Sequence, residues 1–226
     1  VYRERRPPAS LSGLVRCVWH AQESTTRLIV PDGCLDVIVT ADRVFVAGPD
    51  TRAWRSTVPP GTAITGLRFE PGQAARVLGV PADALRNSRV DLAELWGRTG
   101  TSLAERLRAE PAALAQVFAN RPIAPRDPEV TEVVARIDAG ATRISTVIAD
   151  VALSERQLRR RFRAAVGYGP ATYLRVSRLR RAVAAAEHGG TLAEIAGEAG
   201  YADQPHLSRD CREFTGLSPA VFLGHG

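Results

Sequence analysis

The sequence predicts an α+β chain in two parts, a β-rich amino-terminal domain closed by helices and an all-α half after it. Three observations carry this. From Leu14 to about Phe69, short β-favouring runs alternate with turn residues, and beyond Glu70 apolar residues recur at three- and four-residue spacings. Between the two halves of the chain, Pro122, Pro125 and Pro128 put three prolines in seven residues, which blocks helix and sheet alike.

Strands are expected at Leu14 to His20, Arg27 to Val30, Leu35 to Thr40, Arg43 to Ala47 and Ala63 to Phe69. They are separated by Pro31-Asp32-Gly33, Ala41-Asp42, Gly48-Pro49-Asp50 and Pro59-Pro60-Gly61. Gln73 to Leu78, Leu92 to Trp96 and Leu103 to Phe118 carry helical periodicity and are expected to close this first domain, residues 1–118. Residues 119–127 are expected to be a linker, and residues 128–226 a second domain of helices punctuated by glycine, with no strand.

The 226 residues suffice for one large domain or two small ones, and a 45% hydrophobic content excludes disorder. The apolar runs are far short of the roughly 18 residues of a membrane span, and no signal segment opens the chain, so a soluble cytoplasmic protein without membrane contact is expected. Cys17, Cys34 and Cys211 form no Cys-x-x-Cys pair, and His20, His188, His206 and His225 are scattered. Neither a disulfide framework nor a histidine-rich metal site is expected, and no cofactor is implied. All 30 basic residues are arginine, and the net charge of +6 is shared between the halves, so net charge decides nothing. Local charge is more informative: nine arginines and no acid lie between Arg156 and Arg181, whereas five acids lie between Glu194 and Glu213.

The second half repeats itself at an offset of 49 residues. Leu158 matches Leu207, Arg160 matches Arg209, Phe162 matches Cys211, Arg163 matches Arg212, Gly167 matches Gly216, Pro170 matches Pro219, and Tyr173 matches Phe222. Ser154 and Asp203 are matched helix caps. On a helix starting after Ser154, residues advance by about 100° each. Leu158, Phe162 and Ala165 fall on one side, and Arg156, Arg159, Arg160 and Arg163 fall opposite. Like charges at i, i+4 repel, so this stripe calls for an anion against it. The major groove of B-form DNA admits an α-helix, and the guanidinium fork fits guanine O6 and N7. A solvated charged face is the alternative.

Ser145 to Val151 supplies a short helix before this one, and Ala152-Leu153 turns into Ser154: helix, tight turn, helix. In the second copy Thr191 caps a helix bearing Leu192, Ile195, Ala196 and Ala199, Gly200-Tyr201-Ala202 turns, and Asp203 caps the next. Leu207, Cys211 and Phe214 form its buried face, leaving Gln204, His206, Arg209 and Arg212 outward.

The run Ile195-Ala196, Ala199-Gly200-Tyr201-Ala202-Asp203-Gln204-Pro205-His206-Leu207-Ser208-Arg209, Cys211-Arg212, Gly216-Leu217-Ser218-Pro219 and Phe222 resembles the signature of the AraC/XylS family of bacterial transcription regulators. The resemblance covers roughly residues 128–223. It implies two helix-turn-helix units joined by a long helix, about Ala171 to Glu187, with both reading helices entering successive major-groove segments of double-stranded DNA. By position it implies base-facing roles for Arg156, Arg159 and Arg160 in the first unit and for Pro205, His206 and Arg209 in the second. Gln157 and Gln204 fall where phosphate or base contacts are made. On the joining helix Arg175, Arg178 and Arg181 share a face, read either as phosphate anchors or as solvated surface. Two positions depart from the family: Ala152 replaces a frequent glycine, and Cys211 replaces a phenylalanine and is read as core. Asp210 and Glu213 are expected to weaken phosphate attraction at the second unit.

The family places an effector-binding or dimerising domain before the DNA-binding half. Pro31-Asp32-Gly33-Cys34-Leu35-Asp36 and Gly66-Leu67-Arg68-Phe69-Glu70-Pro71-Gly72 resemble a short sensor domain of some AraC-like regulators. Trp19, Phe45, Trp54 and Phe69 are candidates to line a ligand pocket, with Asp36 and Arg68 as polar anchors, and core packing is the alternative for the aromatics. Cys17 and His20 fall on opposite faces of a strand, which disfavours a shared metal.

The expected function is a sequence-specific DNA-binding transcription regulator without enzymatic activity, controlled by an unidentified small-molecule effector or by a partner at the first domain. RNA polymerase is a further partner if the regulator activates, and a homodimer and side-by-side monomers both fit. The competing readings are a cysteine-dependent DNA repair protein, using Cys34 or Cys17, and a protein-interaction module carried on the same DNA-binding half.

Overall fold

A computed structural model describes residues 2–22, 27–56, 59 and 61–224. The first domain is built on an antiparallel sheet. Its strands are β1 (Tyr2–Arg5), β2 (Val15–Gln22), β4 (Asp36–Val39), β5 (Val44–Ala47), β7 (Ala63–Phe69) and β8 (Arg89–Asp91), in the order β1-β2-β7-β4-β5-β8. Two further strands, β3 (Arg27–Ile29) and β6 (Trp54–Ser56), pair into a separate ribbon. Strand alternation gives the sheet two working faces. Val37, Val39, Val44, Val46, Leu67 and Phe69 pack on helices α1 (Ala75–Leu78), α2 (Leu92–Ala109) and α3 (Leu114–Ala119). Cys17, Trp19, Ala21, Ile38 and Ile64 form a second apolar patch on the other face.

Three of these strands were not anticipated from sequence. β1, β6 and β8 are three or four residues long, lie at edges or in the small ribbon, and bury little, so no alternation marks them. The expected helix from Leu103 to Phe118 is divided instead. α2 begins at Leu92 with a break at Gly97, and Pro111 prevents its continuation into α3 because the ring occupies the space of the preceding turn. α3 runs to Ala119, and residues 120–127 then cross the first domain in no regular structure. They are pinned there by Ala124 N to Arg76 O at 2.9 Å and Arg126 Nη2 to Gly13 O at 3.0 Å.

The helical half contains α4 (Pro128–Asp138), α5 (Ile144–Ile148), α6 (Glu155–Val166), α7 (Pro170–Ala186), α8 (Leu192–Glu198), α9 (Gln204–Thr215) and α10 (Pro219–Phe222). One core joins Val133, Ile137, Leu158, Phe162, Tyr173 and Leu179 to Cys211 and Phe214. A smaller one joins Ala182, Ile195, Ala199, Tyr201 and Leu207. Ala152 does not take the left-handed backbone that would have penalised its side chain, since Asn87 is the one non-glycine residue at positive φ among the described residues. No helix is long and apolar enough to cross a membrane among the described residues.

The two halves are docked. Gly167 lies against Pro49, Gly33 against the Tyr173 ring, Gly72 against Val166, and Ala53 N donates to Phe214 O at 2.6 Å.

Within the sheet, a Cβ on Gly66 would stand 2.0 Å from Trp19 Cε2, so the indole lies over bare backbone. Gly66→Ala is expected to displace Trp19 and to destabilise the first domain by about 1–3 kcal/mol. Urea unfolding followed by tryptophan fluorescence checks this, and an unchanged midpoint would show that the close approach carries no stability.

Candidate nucleic-acid interface and ligand cavity

α6 and α9 each have 12 residues and begin 49 positions apart, so the sequence repeat is realised residue for residue. Both start at a side-chain cap: Ser154 Oγ accepts from Gln157 N, and Asp203 Oδ1 accepts from His206 N at 2.7 Å. Both end at a left-handed glycine, Gly167 and Gly216, and a proline opens the next helix in each copy. Local chemistry thus fixes the length of each rod.

On α6, Leu158, Phe162 and Val166 are buried while Arg156, Arg159, Arg160 and Arg163 are exposed. Arg159 has Glu155 at 3.4 Å, and Arg163 has Asp83 of the first domain at 4.0 Å; both contacts are exposed and weak. Arg161 points the other way, forming a bidentate pair with Asp127 at 2.7 and 2.8 Å and reaching Glu129 at 2.8 Å. Gln157 closes the capping box, its Oε1 accepting from Ser154 N at 3.0 Å, so this candidate contact residue holds the helix start.

On α9, Gln204, Pro205, Arg209 and Arg212 are exposed. His206 is half-buried, its ring set edge-on to that of Tyr201 with the centroids 5.0 Å apart. The two acids of this helix differ from expectation. Asp210 is buried and accepts from Arg175 at 2.8 and 3.0 Å, and Glu213 accepts from the same guanidinium. They neutralise Arg175 rather than the reading face.

The arginines of α7 are likewise held by intramolecular partners. Arg178 donates to Thr142 O with its guanidinium over the Tyr201 ring, and Arg181 donates to Ala199 O at 3.2 Å and Ile137 O at 3.1 Å. Ile137 and Ala199 lie at helix ends, and Thr142 lies in the loop before α5. Arg178, expected as a DNA contact, is placed inside this network.

The other site lies in the first domain. Trp19, Asp36, Phe45, Trp54 and Arg68 line a cavity of about 260 Å³ between the sheet and the β3–β6 ribbon. Phe69 does not join them; it points to the opposite face and packs edge-on against Phe118 at 5.8 Å. Its odd position on β7 sends it there, because even positions of that strand face the cavity. Arg68 grips Asp36 through two hydrogen bonds, 3.0 and 2.9 Å, and Trp19 Nε1 donates to the same carboxylate at 3.2 Å. Burial, opposed by Arg68 and by the indole, holds the Asp36 carboxyl above its usual range. The opposite wall carries Arg89, paired with Asp50 at 2.7 Å and stacked 4.2 Å over Trp54. Arg89, Asp32 and Asp50 were missed from sequence, where β8 gave no strand signal. The Trp54 indole nitrogen and Arg89 Nε are buried without an acceptor among the described residues.

Burial pushes the Cys17 thiol up to about 11 and raises Cys34 and Cys211 as well. His20, on the other face of β2 from Cys17, meets Thr65 Oγ1 at 3.0 Å. No group of three or more metal-ligating side chains occurs among the described residues.

A helix-turn-helix domain family matches residues 148–225, and a domain of unknown function, DUF6597, matches residues 3–91. The helical half carries the helix-turn-helix domain of a DNA-binding transcription regulator. It is similar to the DNA-binding domain of AdpA, a global transcriptional factor solved in complex with a target DNA. The two are 29% identical over 44% of this chain and 92% of that one, with a TM-score of 0.40. A probable AraC family regulator from Rhodopseudomonas palustris is 25% identical over 43% of this chain and 96% of that one, with a TM-score of 0.38. ToxT from Vibrio cholerae, bound to (E)-4-(8-methylnaphthalen-1-yl)but-3-enoic acid, spans 99% of this chain and 98% of its own at 8% identity, with a TM-score of 0.50. That last likeness concerns the fold alone. No curated protein matches the chain.

Asp127 ties two helices of the helical half, capping α4 through Val130 N at 3.0 Å and holding Arg161 of α6. Burial raises its carboxyl, but the Arg161 and backbone hydrogen bonds outweigh this and leave it below the usual value. A depressed carboxylate stabilises the fold above the ordinary aspartate pKa, about 3.9, and loses that contribution as pH falls through the folded value. Arg161→Ala is therefore expected to cost about 1–3 kcal/mol at neutral pH. The cost should shrink in acid below the ordinary aspartate value. Denaturant titrations of both proteins at pH 7 and pH 3 measure the difference, and an equal gap at the two pH values would contradict the pairing.

Proposed function

We propose that residues 128–226 read duplex DNA through α6 and α9 while residues 1–118 sense a small molecule in the cavity beside β4, β5 and β7, with residues 119–127 as the connection. The observation that carries this reading is the pair of capped helices, 49 residues apart, each with one face buried and the other presenting arginine. A helix of this diameter fits the major groove, where Arg156, Arg159 and Arg160 would meet base edges and Arg163 the backbone. In the second unit Pro205 and Arg209 take the positions of Arg156 and Arg160, with Gln204, His206 and Arg212 beside them.

The division of labour is unequal. Four exposed arginines stand on α6, and two on α9. Arg160→Ala is expected to lose about 1–3 kcal/mol of discrimination at one base pair, and Arg209→Ala less. Binding titrations over single-base variants of a site selected from random duplexes test this; the reverse order would overturn the asymmetry.

Effector control rests on the cavity. Aromatic walls with a few fixed polar groups and unpartnered donors suit a small planar ligand better than a packed core. A metabolite that binds there should raise the thermal midpoint saturably, since it binds the folded state alone. Ile38→Trp, which fills the cavity from β4, should abolish that rise. A rise that survives Ile38→Trp would place the ligand elsewhere. A nucleophilic repair role is disfavoured by the three buried thiols, each held protonated. We further propose that the protein acts at the nucleoid, in the cytoplasm.

A further inference from the structure

The arginine ridge of α6 does not stand alone. It forms one wall of an open cleft whose other wall belongs to the first domain, where Thr51, Asp83 and Arg86 face Arg156, Arg159, Arg160 and Arg163. Arg86 is exposed, and no ion pair or hydrogen bond engages its side chain among the described residues. The acids near the cleft are Asp83, 4.0 Å from Arg163, and Glu155, 3.4 Å from Arg159. Five guanidiniums against these two carboxylates leave an excess of positive charge shared by the two domains.

The backbone that presents Arg86 is fixed. Arg86 follows a tight 3-10 turn, Ala82–Leu85, that packs on α6. The next residue, Asn87, takes a left-handed backbone with φ of 56°. Its amide donates to Pro49 O at 3.2 Å, its Oδ1 accepts from Thr51 N at 2.8 Å, and its Nδ2 donates to Thr51 Oγ1 at 3.0 Å. Gly48 N donates to Ser88 O at 3.0 Å, and a Cβ on Gly48 would stand 1.6 Å from Leu85 O. Pro49 in turn rests on Gly167, the residue that ends α6. Arg86 is thus held at a set position beside the reading helix.

We propose that Arg86 is a phosphate contact contributed by the first domain, so that the DNA-binding surface is completed only when the two domains are docked. A helix lying in the major groove is flanked by the two phosphate strands, and an unpaired guanidinium beside it on a rigid loop meets one of them. The same loop links this contact to the cavity: Gly48 and Asp50 line the cavity, Thr51 lines the cleft, and Asp50 holds Arg89 two residues after Asn87. Asp50 and Arg89 thus connect the cavity to the segment that supports Arg86. The inference rests on the reading of α6 as a DNA-reading helix.

The test uses the full chain and fluorescence anisotropy, with the duplex selected by the protein and a scrambled duplex, across a salt series. Arg86→Ala is expected to weaken binding to both duplexes by the same factor, about 3- to 10-fold, and to lower the slope of log affinity against log salt by about 0.9. Arg86→Lys should keep the slope, which separates charge from loop structure. Arg98→Ala, an exposed arginine on α2, should match the wild type. Wild-type affinity and slope in Arg86→Ala, alongside impaired Arg160→Ala, overturn the proposal and leave the reading of α6 intact. Tighter binding by Arg86→Ala also overturns it, marking the first domain as an obstruction. If Arg160→Ala is likewise without effect, the reading of α6 falls too.

Discussion

The left-handed end of α6 at Gly167, packed on Pro49, is the constraint on which the arrangement depends. A side chain at Gly167 would meet Pro49 Cγ at 2.2 Å, and its φ of 99° is one that residues with a Cβ rarely adopt. Tyr168 follows, fully buried, and Tyr173 comes one turn later against Gly33. The loops that carry Gly33 and Pro49 are also the loops that bound the cavity. One contact region therefore sets the distance between the cavity of the first domain and α6. Burial raises both tyrosines well above the ordinary phenol value, and the Tyr168 hydroxyl has no partner among the described residues. A buried hydroxyl without a partner is a destabilising feature of this junction.

Arginine serves three separate ends in this chain, and its chemistry explains the division. Where a guanidinium meets a carboxylate in a fork, as in Arg68 with Asp36 and Arg161 with Asp127, it fixes loops and helix starts. Where it meets carbonyls, as in Arg178 and Arg181, it braces the loop at Thr142 and the helix ends at Ile137 and Ala199. Others, among them those on α6, α9 and the Arg86 loop, stay exposed and are left to attract an anion. The surplus of basic over acidic residues understates how strongly the free charge is gathered, because the interior pairs cancel one another.

The helical half was legible in the sequence to a degree that the first domain was not. Caps, terminal glycines and the 49-residue repeat are local features, and α6 and α9 follow from them almost to the residue. Of the sensor candidates, Trp19, Phe45, Asp36 and Arg68 could be placed by strand alternation. Trp54 lies in a three-residue strand that no pattern announced, and Phe69 was misplaced because it adjoins Arg68 on β7, where alternation lets only one of two consecutive residues face the cavity. β1 and β8 escaped for the same reason that they are stable only at an edge: they bury too little to leave a periodic mark.

What the sequence determined by itself is where helices begin and end and which stripe of each is apolar, since those depend on neighbours three or four residues away. What the tertiary structure decided is the fate of individual charges. Asp210 reads as a surface acid until α7 brings Arg175 across 35 positions, and Arg178 reads as surface until Thr142 and Tyr201 arrive beside it. Arg86, unremarkable in its own segment, gains its place only when Pro49 docks on Gly167. Electrostatic roles depend on which groups share a few ångströms of space, and that follows from the packing of elements far apart in the chain.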